Sequence, residues 1–528
     1  MTVETVKGDD SSKSSSSVSV RKGFSHFTAV CFTINYLIGT GFLTLPWAFQ
    51  QGGTLLSTIA LVFVVFISNI SKNYVLESMA RAEAMIGFSV DELDRTESEV
   101  VSLTRKEIKQ SDSEYGSTEG ASDEECSAEE TPQESKPLSY MEPFSIAARQ
   151  DTKYEVKERK FEYVELCRIF LGVKGEIAYI TAISVSICAQ LWGYTSVFSS
   201  AMATTVPIQK DFGHDYTVYT LIFGSIVVPL SCLDLKEQVQ FQLFLTLCRF
   251  IVIGLMVLTT FVACVEGLTG VEGNKPVYFV GTDGPVGAKW IDFSGFYEMF
   301  SVLVYSAMFH NAIPVLSEPV ADKRTLNTIF RDAFIVCGGA FWVIGYIIAW
   351  YFGDHIEQSA NLNWEYFVGG TGRPSSNGSG DWVDVATWAR AISIFVVCFP
   401  AANILSAFPL NAIVLGNNLL IKICGPNETS RYKKTFFRLA SSIPPVFGAL
   451  LVRELGIITS YAGILAIITV LCFPALMYLS SKREAHQNGY FNSTHYESVG
   501  SSDVSAYFMV GLGVVASTYV LVNLLLGS

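Results

Sequence analysis

The chain has 528 residues, of which 50% are hydrophobic and only 16% are charged, whereas about a quarter of the residues in a typical soluble protein are charged. The formal net charge is −13, but residues 83–160 hold 20 acidic and 10 basic residues and account for −10 of it. The rest of the chain is apolar and almost neutral. This composition excludes a soluble globular enzyme, a nucleic-acid-binding protein and a disulfide-rich scaffold.

The first 23 residues are polar and rich in serine, and the apolar run after them is too long for a cleavable signal peptide. Nearly all of the 11 cysteines lie inside apolar runs, and none has the spacing of a metal site. We therefore interpret the cysteines as small core residues and expect neither a metal nor a cofactor.

A membrane-spanning helix needs about 20 mostly apolar residues, and the chain contains many runs of that kind. We predict 11 spans, at residues 24–50, 54–80, 175–203, 216–234, 239–265, 293–319, 331–353, 385–412, 435–453, 457–480 and 504–526. The expected fold class is therefore an all-α membrane protein.

Lysine and arginine are concentrated in alternate loops, a bias that marks the cytosolic side of a membrane protein. It predicts a cytosolic N-terminus and, because the number of spans is odd, a lumenal or extracellular C-terminus. Asn377 begins an Asn-Gly-Ser sequon in the loop after span seven, where we expect glycosylation. An endolysosomal or vacuolar membrane and the plasma membrane stay open as alternatives.

Two predicted spans contain helix-breaking residues near their middle. Span one has Gly-Thr-Gly at residues 39–41 followed by Pro46, and span six has Phe-His-Asn at residues 309–311 followed by Pro314. Irregular backbone at this depth is tolerated where protein or a water-filled cavity surrounds it. Breaks at matching positions of two five-span halves indicate the substrate site of an inverted-repeat transporter. The alternative is that the glycines only allow close helix packing.

Backbone amides freed by the first break suit an anion such as an amino acid carboxylate, because they lie at the N-terminus of the second half-helix. The expected substrate-binding residues are Gly39, Thr40, Gly41, Phe309, His310 and Asn311.

The stretch Asn35-Tyr-Leu-Ile-Gly-Thr-Gly-Phe-Leu-Thr-Leu-Pro-Trp-Ala-Phe-Gln-Gln-Gly-Gly53 resembles the amino acid/auxin permease family. Residues 163–172 and 461–463 agree with this resemblance. Residues 292–295, 304–310, 319–326 and 408–418 resemble the transmembrane protein one-hundred-and-four branch of that family. The resemblance implies 11 spans, a five-plus-five inverted-repeat (LeuT-like) core with broken helices one and six, an extra C-terminal helix, and secondary amino acid transport.

The resemblance also implies a coupling-ion site, but only in part. Asn35 matches an asparagine that is tied to sodium in sodium-coupled relatives, and Asn403 lies in the corresponding stretch of span eight. The hydroxyl pair that those relatives place before Phe408-Pro409 is missing, which puts a sodium site in doubt. His310, beside the second break, is the alternative, because a histidine titrates near neutral pH and can couple proton movement to transport.

Arg249 lies about ten residues into span five, and an arginine in a membrane span needs a partner. We expect a structural ion pair with Glu298 early in span six, with Glu318 and Asp234 as alternatives. Snorkelling of Arg249 to the cytosolic face is a further interpretation.

Residues 83–160 are too polar to bury a core, and we expect them to form a disordered cytosolic insert. Serines followed by acidic residues suit kinases, and the expected phosphorylation sites are Ser111, Ser113, Ser122 and Ser127. A plain solvated linker is the alternative. Residues 496–499 (Tyr-Glu-Ser-Val) fit a tyrosine-based sorting signal that an adaptor would read.

These features predict a proton- or sodium-coupled amino acid transporter that is embedded in the lipid bilayer and has no nucleic-acid partner. The alternative is a non-transporting amino acid sensor or scaffold of an endolysosomal membrane. An intramembrane enzyme is not expected, because no catalytic constellation occurs. The expected organisation is a disordered N-terminus (1–23), spans one and two (24–82), the insert (83–160), spans three to ten (161–480), a cytosolic loop (481–503) and span eleven with its tail (504–528).

Overall fold

A computed structural model describes residues 23–39, 41–114, 153–157, 159–209, 211–232, 239–269, 276–281, 285–374, 382–425, 430–488 and 493–526. The protein is an all-α membrane protein, as the apolar runs predicted. Two short strands in the described residues, β1 (Arg373–Pro374) and β2 (Trp382–Val383), pair antiparallel in the loop between spans seven and eight.

The predicted span numbers are kept as labels for the helices. Spans one to five are His26–Leu37 with Leu45–Gly52, Thr54–Glu114, Tyr163–Thr205, Phe212–Ser231 and Val239–Thr269. Spans six to eleven are Phe296–Ser306 with Ile313–Ser317, Leu326–Phe352, Thr387–Cys424, Arg431–Leu451, Leu455–Gln487 (with a π-helical turn at Ile468–Cys472) and Asp503–Leu526.

Eight of these helices, within the described residues, are long and apolar enough to cross a membrane. The other three are spans one, four and nine, which are helical but either split or less apolar. The count of 11 membrane crossings therefore stays a prediction.

Spans six to ten repeat the packing of spans one to five. Span three packs against span four, and span eight packs in the same way against span nine. Span five packs against span seven, and the corresponding spans of the other half, ten and two, also pack against each other. In the same way, span four contacts span eight, and the corresponding spans nine and three contact each other. Because each half has an odd number of spans, the second half begins on the opposite face. The contacts thus define a five-plus-five inverted repeat, and span eleven packs on span ten outside it.

The two broken spans run side by side in opposite directions. The second half-helix of span one packs against the first half-helix of span six, and the remaining two half-helices also contact each other. The breaks in the two spans therefore lie next to each other, inside the bundle.

Span ten approaches span six very closely at Gly463. A β-carbon at this position would lie 2.5 Å from the carbonyl oxygen of Ser301 in span six. Since no real β-carbon comes so close to a backbone atom, only glycine permits this approach. The contact fixes span ten against the first half of span six, next to the break.

The prediction that residues 83–160 are disordered is wrong at the beginning of this segment. The helix of span two continues without interruption to Glu114, so residues 83–114 have a helical backbone. The physical reason is that this stretch has no proline and that glutamate, a good helix former, is its most frequent residue. Such residues extend a helix that the membrane span has already nucleated, and extension costs far less than nucleation.

The same prediction is also wrong at the end of the segment, where several residues contact the body of the protein. The backbone of Tyr154 forms a parallel bridge with Thr494 in the loop between spans ten and eleven. Val156 is buried, and Arg324 Nε donates a hydrogen bond of 2.6 Å to Glu155. Composition did not reveal these contacts, because they depend on loops that are distant in sequence. We call the surface that carries them, where span one begins, the N-terminal face.

Three of the predicted modification sites lie outside the described residues, namely Ser122, Ser127 and Asn377. Ser111 and Ser113 lie in the last turn of the long helix of span two. Phosphorylation and glycosylation at these positions stay predictions.

Candidate functional site

The break in span one follows directly from its sequence. The first half-helix ends at Leu37 with Ile38 as its C-cap, and the amide of Gly39 turns back to the carbonyl of Leu37. A single 3₁₀ turn (Gly41–Leu43) then leads into the second half-helix, which has Pro46 in its first turn, where a missing amide hydrogen costs nothing. Thr40 lies outside the described residues.

The break in span six has the same organisation. Its first half-helix ends at Ser306, a 3₁₀ turn covers His310–Ala312, and the second half-helix has Pro314 in its first turn. Residues 307–309 between them are not helical. In both spans, proline therefore restarts the helix after the irregular segment.

A small enclosed cavity lies between the two breaks. Span one contributes Gly41 and span six contributes Tyr305; spans three and ten supply the remaining walls. Those walls are Ala189, Gln190, Gly193 and Val197 from span three, and Leu455, Ile458, Thr459 and Ala462 from span ten. The cavity holds about 10 Å³, which is room for about one water molecule.

The cavity is mostly apolar, and the described residues that line it include no charged side chain. Gln190 Nε2 donates a hydrogen bond of 2.8 Å to the hydroxyl of Tyr194, and the hydroxyl of Thr459 donates one of 2.8 Å to the carbonyl of Leu455. Such a lining, with few convergent polar groups, is typical of small-molecule sites. In this closed state the space is too small for an amino acid.

Only some of the predicted substrate residues lie at the cavity. Gly41 lines the cavity, and Gly39 lies two residues before it. Phe309 instead packs against the rings of Phe330 and Phe334 in span seven, with centroids 5.5 and 4.9 Å away. His310 and Asn311 are also absent from the cavity lining.

His310 faces span two rather than the cavity. It is completely buried, and its Nε2 lies 3.1 Å from the carbonyl oxygen of Ser68, while its Nδ1 has no hydrogen-bond partner among the described residues. Asn311 Nδ2 donates to the hydroxyl of Tyr36 at 3.4 Å. His310 thus belongs to a polar region between spans two, six and seven.

The same polar region contains Lys72, which is fully buried one helical turn beyond Ser68. Its ammonium group donates hydrogen bonds to the carbonyl (2.8 Å) and to the side-chain oxygen of Asn327 in span seven. The buried oxygens Ser68 Oγ, Asn69 Oδ1 and Asn73 Oδ1 have no partner among the described residues. Buried polar atoms without partners are costly and indicate a functional site or bound water. Lys72 was not among the residues predicted from the sequence, although a lysine inside span two was a visible signal.

Three polar residues of the cavity wall were also not predicted from the sequence, namely Gln190, Tyr305 and Thr459. Tyr305 lies four residues before Phe309, within a stretch that the family resemblance had already marked. Gln190 and Thr459 lie on unbroken helices, where nothing in the sequence distinguishes a cavity-facing polar residue from a packed one.

The predicted ion pair between Arg249 and Glu298 is wrong. Nη1 of Arg249 donates to the carbonyl oxygens of Ile38 (2.6 Å) and Asn35 (3.4 Å), and Nη2 donates to Asn403 Oδ1 (3.3 Å). Glu298 lies beside the hydroxyl of Tyr297. The reason is that Arg249 lies in the first part of the helix of span five, whereas Glu298 follows the far end of that helix and is near the opposite face.

The tyrosine of the predicted sorting signal is inaccessible in this structure. Tyr496 is fully buried; its hydroxyl donates to the carbonyl of Lys323 and accepts from the amide of Val156. Val499, at the other end of the motif, is fully exposed. An adaptor that reads the tyrosine ring would first have to release it from these contacts.

A family model described as transmembrane amino acid transporter protein matches residues 22–82 and 145–524. The chain therefore belongs to this family, which confirms the resemblance seen in the sequence, and it is a membrane transporter rather than an enzyme.

Transmembrane protein 104 of Homo sapiens is 24% identical over 473 residues, which cover 83% of this chain and 84% of the human protein. The Transmembrane protein 104 homolog of Dictyostelium discoideum is 23% identical over 459 residues, which cover 84% of this chain and 86% of that protein. Among solved structures, a manganese transporter of Eremococcus coleocola has a TM-score of 0.44 at 13% identity and covers 96% of this chain and 90% of its own. A sodium-coupled sialic acid symporter has a TM-score of 0.37 at 9% identity, with 94% and 98% coverage.

Proposed function

We propose that this protein is a secondary active transporter of amino acids that is driven by protons and holds its substrate between broken spans one and six. The observation that carries this proposal is the cavity, which lies between the two breaks and is closed by spans three and ten. An inverted repeat with such a cavity at its centre is the arrangement from which alternating access arises.

The residues around the cavity favour an amino acid with an uncharged side chain. The start of the second half of span one, at Gly41, offers a helix N-terminus to a carboxylate, because the helix dipole is positive there. The walls from spans three and ten carry no charge that would pair with an acidic or basic side chain. An unpaired ionic side chain would be costly in such surroundings.

The polar region around His310 supports proton coupling. Because Nε2 faces a carbonyl oxygen, which only accepts, the neutral ring carries its proton on Nε2. Nδ1 is then an acceptor to which none of the described residues donates. His310 is four residues beyond Ser306, where the first half-helix of span six ends. Protonation of Nδ1 would therefore place a positive charge directly at the break.

The orientation follows from the loops that carry lysine and arginine. We infer that the N-terminal face is cytosolic, because basic residues of the segment before span three and of the loop after span six, among them Lys160 and Arg324, lie on it. The endolysosomal or vacuolar membrane and the plasma membrane are the two candidate compartments.

The test is uptake of a panel of labelled amino acids by proteoliposomes that contain the full chain, with and without a pH gradient. We expect accumulation of one or more neutral amino acids only when the gradient is present. Replacing His310 by glutamine should abolish the effect of the gradient, whereas His214→Gln, at an exposed position, should leave it unchanged. Binding without uptake would instead support the sensor or scaffold function, and the absence of both would contradict an amino acid ligand.

A further inference from the structure

We propose that the guanidinium of Arg249 is a built-in cation that takes the place of a coupling sodium ion between spans one and eight, and that this protein therefore works without sodium. The proposal rests on the proposed transport function. Its structural part, the replacement of an ion by a side chain, can be tested without any transport assay.

The first observation concerns the end of the first half-helix of span one. A helix that stops at Leu37 leaves its last carbonyl groups without partners from its own backbone, and the helix dipole makes this end negative. Two of these carbonyls, those of Asn35 and Ile38, point at Arg249 Nη1 at 3.4 and 2.6 Å. The break thus creates a cation site, and a cation from span five fills it.

The second observation is the third oxygen ligand of the guanidinium. Asn403 Oδ1, in span eight, accepts a hydrogen bond of 3.3 Å from Nη2 of Arg249. Asn35 and Asn403 are the two asparagines that the sequence marked as candidates for an ion site. They do lie at one site, with the guanidinium between their spans.

The third observation is that no carboxylate among the described residues pairs with Arg249. Within the described residues its hydrogen bonds go only to carbonyl and amide oxygens. Oxygen dipoles without a negative side chain are also the ligands that a single monovalent cation would receive from a broken helix. The ligands of the guanidinium are therefore of the kind that would suit a monovalent cation such as sodium, whereas the cation that occupies the site is a side chain of the protein itself.

An attached cation has a functional consequence. A sodium ion can enter from one side and leave on the other, which couples its gradient to transport, whereas Arg249 cannot leave span five. The guanidinium can only hold or release the end of the first half-helix of span one. It is therefore a positioning residue for that half-helix, and the driving ion has to bind elsewhere.

The test begins with thermal unfolding of the purified full chain in detergent, in sodium chloride and in potassium chloride of equal ionic strength. We expect the same unfolding temperature in both salts for the wild type. Arg249→Ala should unfold several degrees lower, and millimolar guanidinium chloride, but not tetramethylammonium chloride, should restore part of this loss.

Arg438→Ala is the matched control, because Arg438 is also a buried arginine that donates to a backbone carbonyl, that of Cys232. It should show no restoration by guanidinium. If Arg249→Ala does not fold, Arg249→Lys, which keeps the charge, is compared in the two salts and should again be insensitive to sodium. A stabilisation of the wild type or of Arg249→Lys by sodium over potassium would overturn the proposal.

Uptake measurements separate this proposal from the proposed function. Wild-type uptake should be equal in sodium and in potassium, and Arg249→Ala should reduce it at least tenfold. Uptake that requires sodium would overturn the role of Arg249 and leave transport intact. If no uptake is found, the proposed function fails, and the unfolding experiment still decides whether a guanidinium occupies the site.

Discussion

The hydroxyl of Tyr496 donates a hydrogen bond of 2.9 Å to the carbonyl oxygen of Lys323, which joins the loop between spans ten and eleven to the start of span seven. The same hydroxyl accepts from the amide of Val156, 3.2 Å away, in the segment before span three. One buried phenol thus holds together three parts of the N-terminal face. Two of these parts flank spans of the second half of the repeat, and the third precedes a span of the first half.

Replacing Tyr496 by phenylalanine should loosen this face without removing the buried ring. The amide of Val156 would lose its partner, and a buried donor left unpaired costs about 1–3 kcal/mol. We expect faster trypsin cleavage at Lys153, Lys157 and Lys160 and a lower unfolding temperature. Tyr507→Phe, at an exposed position on span eleven, is the control and should change neither. Equal cleavage rates for Tyr496→Phe and the wild type would contradict the structural role of this hydroxyl.

The ion pair between Glu155 and Arg324 makes the docking of the same segment dependent on pH. Their hydrogen bond of 2.6 Å lowers the pKa of the Glu155 carboxyl below its ordinary value, because the guanidinium stabilises the charged form. A lowered pKa means that the contribution to docking is present above the ordinary value of about 4.3 and is lost as the pH falls through the lower, folded-state value.

Hydrogen exchange of residues 153–162 at a series of acidic pH values measures this effect. We expect the wild type to lose protection only below the ordinary carboxyl pKa. Glu155→Gln should be less protected than the wild type above that pKa, should depend less on pH, and should match the wild type at the lowest pH, where Glu155 is protonated. Glu162→Gln, at an exposed position of the same segment, should behave as the wild type. An unchanged profile for Glu155→Gln would argue against the ion pair as the source of the pH dependence.

Gly463→Ala should destabilise the contact between spans six and ten. The new β-carbon would lie 2.5 Å from the carbonyl oxygen of Ser301, so one of the two helices has to move, and overpacking of this kind costs about 1–3 kcal/mol. A lower unfolding temperature in detergent is the expected result. Gly511→Ala is the matched control, since no atom lies within 4 Å of a β-carbon at that helical position. It should be neutral or slightly stabilising, because alanine favours helix.

Gln190→Leu should impair substrate binding more than folding. Gln190 is a polar side chain in the wall between the breaks, and leucine has a similar volume without hydrogen-bonding groups. Loss of one hydrogen bond worth about 1–2 kcal/mol corresponds to a KM for uptake that is about 5- to 30-fold higher. Gln209→Leu, at an exposed position, should leave KM unchanged. An unaltered KM for Gln190→Leu would remove this residue from the binding site.

The sequence predicted the positions of the two breaks well, because glycine and proline act on the backbone wherever they stand. It did not predict on which side of a break each side chain lies. Phe309 and His310 point away from the cavity because the irregular residues before them shift the helical phase, and no periodicity describes such a segment. The sequence therefore predicted which residues lie next to a break, whereas only the folded structure shows whether their side chains face the cavity.

Arg249 shows a second limit of the sequence. A partner with opposite charge was expected for it, and carboxylates are easy to find in a sequence. Every helix break leaves carbonyl oxygens without backbone partners. Only the folded structure shows that those at the end of the first half-helix of span one accept hydrogen bonds from Arg249. The insert after span two shows a third limit, since polarity excludes a buried core but does not exclude a single continued helix.

The small volume of the central cavity has a thermodynamic consequence for any ligand. About 10 Å³ of space cannot receive an amino acid, so the ligand must bind a wider conformation that the free protein visits for only a fraction of the time. Its apparent affinity is then the intrinsic affinity multiplied by that fraction. Substitutions that merely favour the wider conformation, far from the cavity, should therefore tighten binding without touching the ligand.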